Sequence, residues 1–285
     1  MNETDPLYSS SIFTCVVNAF SAYTATVLNI LTIHAIRKTS SLPKPLKTLL
    51  LSLAVSNLGV GLLAQPLYVA SIVSPAYFFN TFTIIAHLFV YASFFLVMAI
   101  SVDRFLAIHL HLRYQELVTH KRVVAVVISI WTLSLLFSLL IFYLASHKPV
   151  PVVISAIFGF CFIITGIIYS RMFSTARYHE NQIQVLQIQV AENSQIESAA
   201  RKRKSAISMF YVYLVFLVCY LPEYCVRVAI AYFIKPPPST ALAGVYRYSL
   251  AIMFLNSSLN PVIYGWKMRH IRHAMIDVLR NIFPK

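Results

Sequence analysis

The sequence has little charge, and acidic residues are the scarcest part of it. Only 11% of its 285 residues are charged, against about 25% in a soluble domain, and nine acids face 23 lysines and arginines. Hydrophobic residues make up 59% of the chain. This composition excludes an ordinary water-soluble globule. The net charge of +14, which suggests a nucleic-acid partner in a soluble chain, marks orientation in a membrane protein.

Cysteine and glycine are also scarce. The four cysteines are too few and too scattered for a disulfide scaffold, and none has a zinc-like spacing to another. Three histidines, His109, His111 and His120, have no carboxylate or cysteine to complete a set, so we expect no metal site. Six glycines exclude a collagen-like or low-complexity chain.

Long uncharged runs are what the sequence does contain. A bilayer core of about 30 Å needs about 20 apolar residues in a helix, and seven runs reach that length. They predict an all-α membrane protein, a bundle of seven transmembrane helices. The predicted spans are residues 12–36, 48–72, 81–108, 123–145, 150–169, 205–234 and 245–266.

The basic residues are distributed unevenly between the two sides of these spans. Nineteen of the 23 lie on one side and four on the other, and the basic side stays in the cytoplasm. The chain is therefore predicted to have an extracellular segment over residues 1–11, a membrane domain over 12–266 and a cytoplasmic tail over 267–285. Asn2 begins a glycosylation triplet on the outer segment.

Polar residues inside the spans break the hydrophobic pattern at a few places. They are costly in a membrane, and they serve packing or function. Asp103-Arg104 ends the third span, Pro222 lies in the sixth, and Asn260-Pro261 lies in the seventh, followed by Tyr264. Four further marks are Asn29, Asn57, Trp131 and Tyr169. In this order and placement, the chain resembles a rhodopsin-like, or class A, G-protein-coupled receptor from residue 29 to about residue 283.

The resemblance implies a receptor without enzymatic activity or cofactor. It implies a plasma-membrane protein that binds an extracellular ligand in the outer half of the bundle and activates a heterotrimeric G protein at its inner face. Arg104 leaves Asp103 to meet the G protein, Leu112 inserts an apolar side chain into it, and the two inner tyrosines approach Arg104. The residues of this predicted switch are Asp103, Arg104, Leu112, Tyr169, Tyr220, Pro222, Asn260, Pro261 and Tyr264.

The two prolines in this set, Pro222 and Pro261, have effects that physical chemistry predicts without the resemblance. Pro222 removes an amide donor and bends the sixth helix, so the inner half of that helix can swing about it. Pro261 frees carbonyl groups that need partners. The polar groups predicted to form a core near it are Asn29, Asn57, Ser93, Asn256 and Ser257. Simple helix-packing hydrogen bonds are the alternative for any one of them.

The sequence also departs from the family pattern. Phe79 stands where most relatives have a disulfide cysteine, and Cys161 replaces the fifth-helix proline. Melanocortin-type receptors share these features, with adenosine and lysolipid receptors as further candidates for the nearest branch. Ala86 in place of an aspartate argues against a biogenic amine, and Phe254 in place of a lysine excludes retinal. Asn57 in place of an acid predicts no strong sodium effect.

The outer half of the sixth span carries Glu223 and Arg227, four residues apart and therefore on one helix face. They either neutralise each other or separate to engage a charged ligand. The candidate ligand-binding residues are Gln65, His87, Glu223, Tyr224, Arg227 and Tyr246.

The inner side is predicted to meet lipid and G protein. Lys202 stands where some relatives hold an acid that pairs with the third-helix arginine, which predicts basal signalling; alternatively, its basic run only anchors the loop to anionic lipid. Residues 267–285 predict a short amphipathic eighth helix on the membrane, and residues 181–199 are expected to extend the fifth helix. No serine or threonine follows Asn260, so arrestin binding through a phosphorylated tail is not expected.

A transporter or channel is the main alternative to a receptor. Such a protein needs ionisable groups at mid-depth and often paired repeats, whereas Glu223 and Arg227 lie near the outside and no repeat is visible. No catalytic set of residues lies inside the spans, so an enzyme is disfavoured further.

Overall fold

The computed structural model describes residues 6–40, 42–110, 113–144, 149–186, 193–233, 240–267 and 269–282, and these are helical with short connections. No strand occurs among them. The helices are α1 (Pro6–Lys38), α2 (Lys44–Gly59), α3 (Gln65–Val73), α4 (Pro75–His109), α5 (Tyr114–Leu117), α6 (His120–Leu144), α7 (Pro149–Leu186), α8 (Asn193–Phe233), α9 (Thr240–Lys267) and α10 (Arg269–Ile282). A π-helical turn, Val60–Ala64, joins α2 to α3.

The seven predicted spans lie in α1, the joined α2–α3, α4, α6, α7, α8 and α9. Within the described residues, five stretches are long and apolar enough to cross a bilayer: Ser10–Lys38, Lys44–Val73, Pro75–Ala107, His120–Leu144 and Phe210–Ile230. In α7 the apolar stretch is shorter, Ala156–Arg171. The polar residues of α9, Asn256 and Asn260 among them, lower its mean hydropathy.

Two helix boundaries differ from the sequence expectation. α1 begins at Pro6 and not at residue 12. α7 ends at Leu186, and residues 193–199 belong to α8, so the prediction that residues 181–199 extend the fifth helix was wrong for residues 193–199; residues 187–192 lie outside the described part of the chain. Hydropathy locates the part of a helix that crosses lipid, but it carries no signal for a polar helix in water.

α4 is the central helix, and it contacts α2, α3, α6, α7 and α8. The core around it is aromatic: the Phe94 ring centroid lies 4.5 Å from that of Phe158 and 5.5 Å from that of Phe216. At Gly59 a Cβ atom would lie 2.2 Å from Cε1 of Phe89, so α2 approaches α4 as closely as a glycine permits. The bundle is therefore tightly packed at this level.

α10 lies across the inner end of the bundle against α1 and α9. It buries Ile271, Met275 and Val278 and exposes Asp277 and Arg280. This division of one helix into an apolar and a charged face is the predicted amphipathic eighth helix.

Candidate functional site

The inner end of α4 holds the predicted Asp103–Arg104 pair in a buried position, with the two residues 4% and 6% exposed. Arg104 donates from Nε to Asp103 Oδ2 at 2.8 Å, and its Nη2 donates to the same oxygen. The Tyr114 hydroxyl donates to the other oxygen, Oδ1, at 2.7 Å. Asp103 therefore holds Arg104 and is itself held by Tyr114.

Tyr114 is a residue that the sequence analysis missed. It lies on α5, outside the membrane spans, and reaches back to Asp103 across the turn that follows α4. Burial and the neighbouring Asp103 carboxylate raise the pKa of Tyr114. The phenol consequently stays protonated and remains a hydrogen-bond donor. No periodicity in the sequence signals this contact, because it depends on how the connection folds.

Tyr169 and Tyr264, the two predicted inner tyrosines, are both buried. Ser101 donates to the Tyr169 hydroxyl at 2.9 Å, and the Tyr169 ring stacks on Tyr213 with centroids 4.7 Å apart. Tyr169 lies within electrostatic range of both Arg104 and Tyr264. The Tyr264 hydroxyl has no hydrogen-bond partner among the residues that the structure describes. The structure thus brings the two tyrosines and Arg104 into one neighbourhood.

The predicted polar core is only partly bonded. Asn29 donates to the Ser257 carbonyl at 2.9 Å, one helical turn before Pro261, and Ser93 donates to Asn57 Oδ1 at 3.2 Å. Asn256 and Asn260 are fully buried, and among the described residues neither amide makes a direct hydrogen bond of ordinary geometry, although the Tyr220 hydroxyl lies against Asn256. Unpaired buried amides are costly. These amides therefore keep unused capacity for hydrogen bonds, which ordered water can fill.

A second contact that the sequence analysis missed joins the inner parts of α8 and α9. The Lys267 Nζ lies 3.9 Å from the ring centroid of Tyr211 on α8 and 3.6 Å from that of its neighbour Trp266. A cation over two aromatic faces is attracted by both. The three residues, called the lysine–aromatic clamp below, hold the inner segment of α8 against the end of α9.

The outer half of the bundle encloses a cavity of about 580 Å³. Five of the six predicted ligand-binding residues line it: His87, Glu223, Tyr224, Arg227 and Tyr246. Gln65 lies outside this lining; it is fully buried, and its amide nitrogen lies 3.4 Å from Asn18 Oδ1 on α1. The polar side chain of Gln65 therefore takes part in a contact between α3 and α1.

Glu223 and Arg227 form an ion pair in the cavity wall. Arg227 donates from Nε to Glu223 Oε1 at 2.8 Å and from Nη2 to the same oxygen. The two side chains are therefore paired in this structure, and their separation to engage a charged ligand stays a prediction. His87 lies in the same wall, with Nδ1 2.6 Å from the Thr83 carbonyl. This distance assigns the proton to Nδ1, so Nε2 is an acceptor.

Tyr220 and Pro222 connect the cavity to the packing below it. Tyr220 lines the cavity, and its ring stacks on Phe216 with centroids 4.0 Å apart. Phe216 in turn contacts Phe94 of the aromatic core. Pro222 lies inside α8, where its missing amide donor weakens the helix. A change at the cavity floor therefore has a packed route to the inner part of α8.

Three predicted features fall where the structure gives no side-chain position. Asn2 and Leu112 lie outside the described residues, and Lys202 lies in α8 with its side chain outside them. The four cysteines, Cys15, Cys161, Cys219 and Cys225, are free thiols. Among the described residues no group of three His, Cys, Asp or Glu side chains could hold a metal ion.

Comparison with known families decides the assignment. The profile described as "7 transmembrane receptor (rhodopsin family)" matches residues 28–264, which is most of the chain. The chain belongs to this family. The predicted class A receptor is confirmed, and the bundle is a seven-transmembrane receptor fold. The motif residues of α4, α8 and α9 all lie inside the matched range.

Individual relatives place this receptor near the melanocortin branch. Melanocortin receptor 4 of Danio rerio is 26% identical to it over 261 residues, which cover 88% of this chain and 78% of that protein. Melanocortin receptor 3 of Homo sapiens is 24% identical over 262 residues, covering 88% and 80%. Melanocortin receptor 3 of Rattus norvegicus gives the same values.

Proposed function

We propose that this G-protein-coupled receptor binds its extracellular ligand in the cavity of about 580 Å³ and signals by releasing Arg104. The observation that carries the proposal is the Arg104–Asp103–Tyr114 arrangement. It holds a cation at the inner face through bonds to one neighbouring carboxylate. Among the described residues, Arg104 is held by partners close to it in the chain, and a charged side chain held in this way can turn toward a G protein when the surrounding helices move.

The packing provides a route between the two ends. A ligand that displaces Tyr220 shifts Phe216 beneath it, and the inner segment of α8 swings about Pro222. That swing opens the lysine–aromatic clamp and gives Tyr264 and Asn260 room to find hydrogen-bond partners. The bonds gained in the open arrangement offset those lost on opening, so the two states stay close in free energy.

Orientation and surroundings follow from the charge distribution. We place the receptor in the plasma membrane with its amino terminus outside, where Asn2 accepts a glycan. The basic residues of α10 and of the inner connections face anionic lipid. Arrestin, if it binds, does so through the third inner loop, because residues 261–285 of this chain contain no serine or threonine.

A nucleotide-exchange assay tests this function. Receptor in lipid nanodiscs is mixed with a panel of G-protein α subunits, and GTP-analogue uptake is compared with uptake on empty nanodiscs. Asp103→Asn weakens the hold on Arg104, so this variant is expected to drive exchange without any ligand. Adding Arg104→Ala to it is expected to abolish the signal.

Arg113→Ala is the matched control, since Arg113 is an exposed arginine on the same inner side. It is expected to leave exchange unchanged. Absence of exchange with every α subunit, or exchange that survives the loss of Arg104, contradicts the proposed coupling. Solute flux through receptor-containing liposomes would then favour the transporter or channel.

A further inference from the structure

We infer that the outer cavity selects a ligand of net zero charge, with a flat apolar body and an uncharged head that both donates and accepts hydrogen bonds. A primary carboxamide has such a head. This inference rests on the proposed role of the cavity as the ligand site, and it names the chemical class of that ligand.

The aromatic lining of the cavity favours a ligand with a flat apolar body. Phe82, Phe158, Phe162 and Phe254 line the cavity from three helices, α4, α7 and α9. Aromatic rings bury large areas and favour offset or edge contacts with another ring. A cavity of about 580 Å³ with such walls is of the size that holds one small molecule.

The Glu223–Arg227 pair determines which polar head group of a ligand is favoured. Both bonding nitrogens of Arg227 contact the same oxygen, Oε1, so Glu223 Oε2 and Arg227 Nη1 make no hydrogen bond within the described part of the chain. One carboxylate oxygen, Oε2, and the unused N–H groups of Arg227, two on Nη1 and one on Nη2, therefore remain available in the cavity wall. The pair has no net charge. An anionic ligand is repelled by the Glu223 carboxylate, and a cationic ligand is repelled by the Arg227 guanidinium. Either ion could bind its opposite charge fully only if the buried pair separated, and separating a buried ion pair is costly.

His87 lies beside the pair, and its ring is within electrostatic range of Arg227. Its Nε2 has no hydrogen-bond partner among the described residues, but the atom is buried and can accept from a ligand only if neighbouring side chains move. The pair itself offers Glu223 Oε2 as an acceptor and the unused N–H groups of Arg227 as donors. A primary carboxamide carries two N–H donors and one carbonyl acceptor. It can therefore donate to Oε2 and accept from Arg227 without breaking the ion pair.

The other polar groups of the lining add one further charge, that of Arg247. Tyr91 and Tyr246 lie within electrostatic range of the pair and present hydroxyls, which accept or donate without charge. Arg247 is a second cation in the lining, and its guanidinium donates to the Ser11 hydroxyl on α1. If Arg247 governed selection, an anionic ligand would bind best, and the experiment below includes that outcome.

The test uses three probes that share a naphthalene body and differ in the charge of the head. They are 2-naphthylacetamide, 2-naphthylacetic acid and 2-(2-naphthyl)ethylamine, the last two ionised near neutral pH. Binding to receptor nanodiscs is measured by surface plasmon resonance against empty nanodiscs, which removes partition into lipid. The amide is expected to bind tightest, with the acid and the amine each weaker by about tenfold or more.

Neutralising one partner at a time is expected to reverse the order. Glu223→Gln leaves Arg227 unpaired, so the acid becomes the preferred probe. Arg227→Gln leaves Glu223 unpaired, so the amine becomes preferred. The double variant restores neutrality and is expected to return the preference to the amide, which also shows that the cavity still folds.

Several results would overturn the inference. They are an acid or amine that binds tightest to the wild type, no binding by any of the three probes, or an unchanged order in both single variants. The measurement needs no G protein. Failure of nucleotide exchange with the amide preference intact would refute the proposed coupling alone, and the reverse result would refute the charge selection alone.

Discussion

The outer and inner halves of the bundle each contain an ion pair, and the two pairs differ in their surroundings. The outer pair, Glu223–Arg227, lines the cavity and keeps one carboxylate oxygen and three N–H groups unused. The inner pair, Asp103–Arg104, lies in packed surroundings, and both carboxylate oxygens are occupied. The outer half is therefore arranged to receive a molecule, and the inner half is arranged to hold a side chain back.

Unpaired polar groups show the same contrast. In the outer cavity, Glu223 Oε2 and the unused N–H groups of Arg227 can be satisfied by a ligand. In the inner half, Asn260 and Tyr264 have no hydrogen-bond partner among the described residues and lie in the middle of the packing. Ordered water or a movement of the helices can supply their hydrogen bonds. A buried polar group without a partner can therefore serve a binding site in one half of the bundle and a conformational change in the other.

The largest expected effect concerns packing. Gly59→Ala places a methyl group 2.2 Å from the Phe89 ring, whereas Ala86→Leu extends a side chain into the cavity. Overpacking costs about 1–3 kcal/mol, so Gly59→Ala is expected to lower the melting temperature of the detergent-solubilised receptor by several degrees. Ala86→Leu is expected to leave it nearly unchanged. Equal losses for the two variants would contradict the contrast in packing.

A smaller effect is expected at Tyr114. Tyr114→Phe removes a hydrogen bond to a charged acceptor, worth about 1.5 kcal/mol or more, so basal nucleotide exchange is expected to rise about tenfold. Because burial and Asp103 raise the pKa of Tyr114, the phenol stays protonated from about pH 6 to about pH 9. The ratio of the two exchange rates should therefore be constant over that range. A ratio that falls toward one at alkaline pH would show that the phenol ionises.

The smallest expected effect concerns the lysine–aromatic clamp. A cation–π contact near the surface is worth about 0.5–1 kcal/mol, so Lys267→Gln is expected to raise basal exchange by about two- to fivefold. Tyr211→Leu removes the ring on α8 and should act in the same direction. Lys267→Arg keeps a cation over the rings and is the control. If neither of the first two variants raised basal nucleotide exchange, the clamp would not restrain activation.

Local patterns in the sequence predicted the features that depend on neighbours along the chain. Hydropathy located the membrane helices, and fixed spacings located Arg104, Pro222 and Asn260. Four-residue spacing placed Glu223 and Arg227 on one face, where they pair. The packing of α10 follows in the same way from its repeat of apolar residues.

Contacts between distant segments could not be predicted in this way. Tyr114 reaches Asp103 around a turn, and Lys267 reaches Tyr211 on another helix. Gln65 has the polarity of a ligand-binding residue, yet it faces Asn18 and not the cavity. Each depends on the rotation of one helix against another, which the composition of a single helix does not determine.

The central claim is that the inner segment of α8 swings about Pro222 when Arg104 is released. A distance measurement between spin labels at Lys121 on α6 and Ser205 on α8 tests it most directly, in a receptor with its four native cysteines replaced. Binding of nucleotide-free G protein to the Asp103→Asn variant is expected to lengthen this distance by several ångströms, and Pro222→Ala is expected to reduce the lengthened population. An unchanged distance distribution in a sample where the G protein co-elutes with the receptor would contradict the claim.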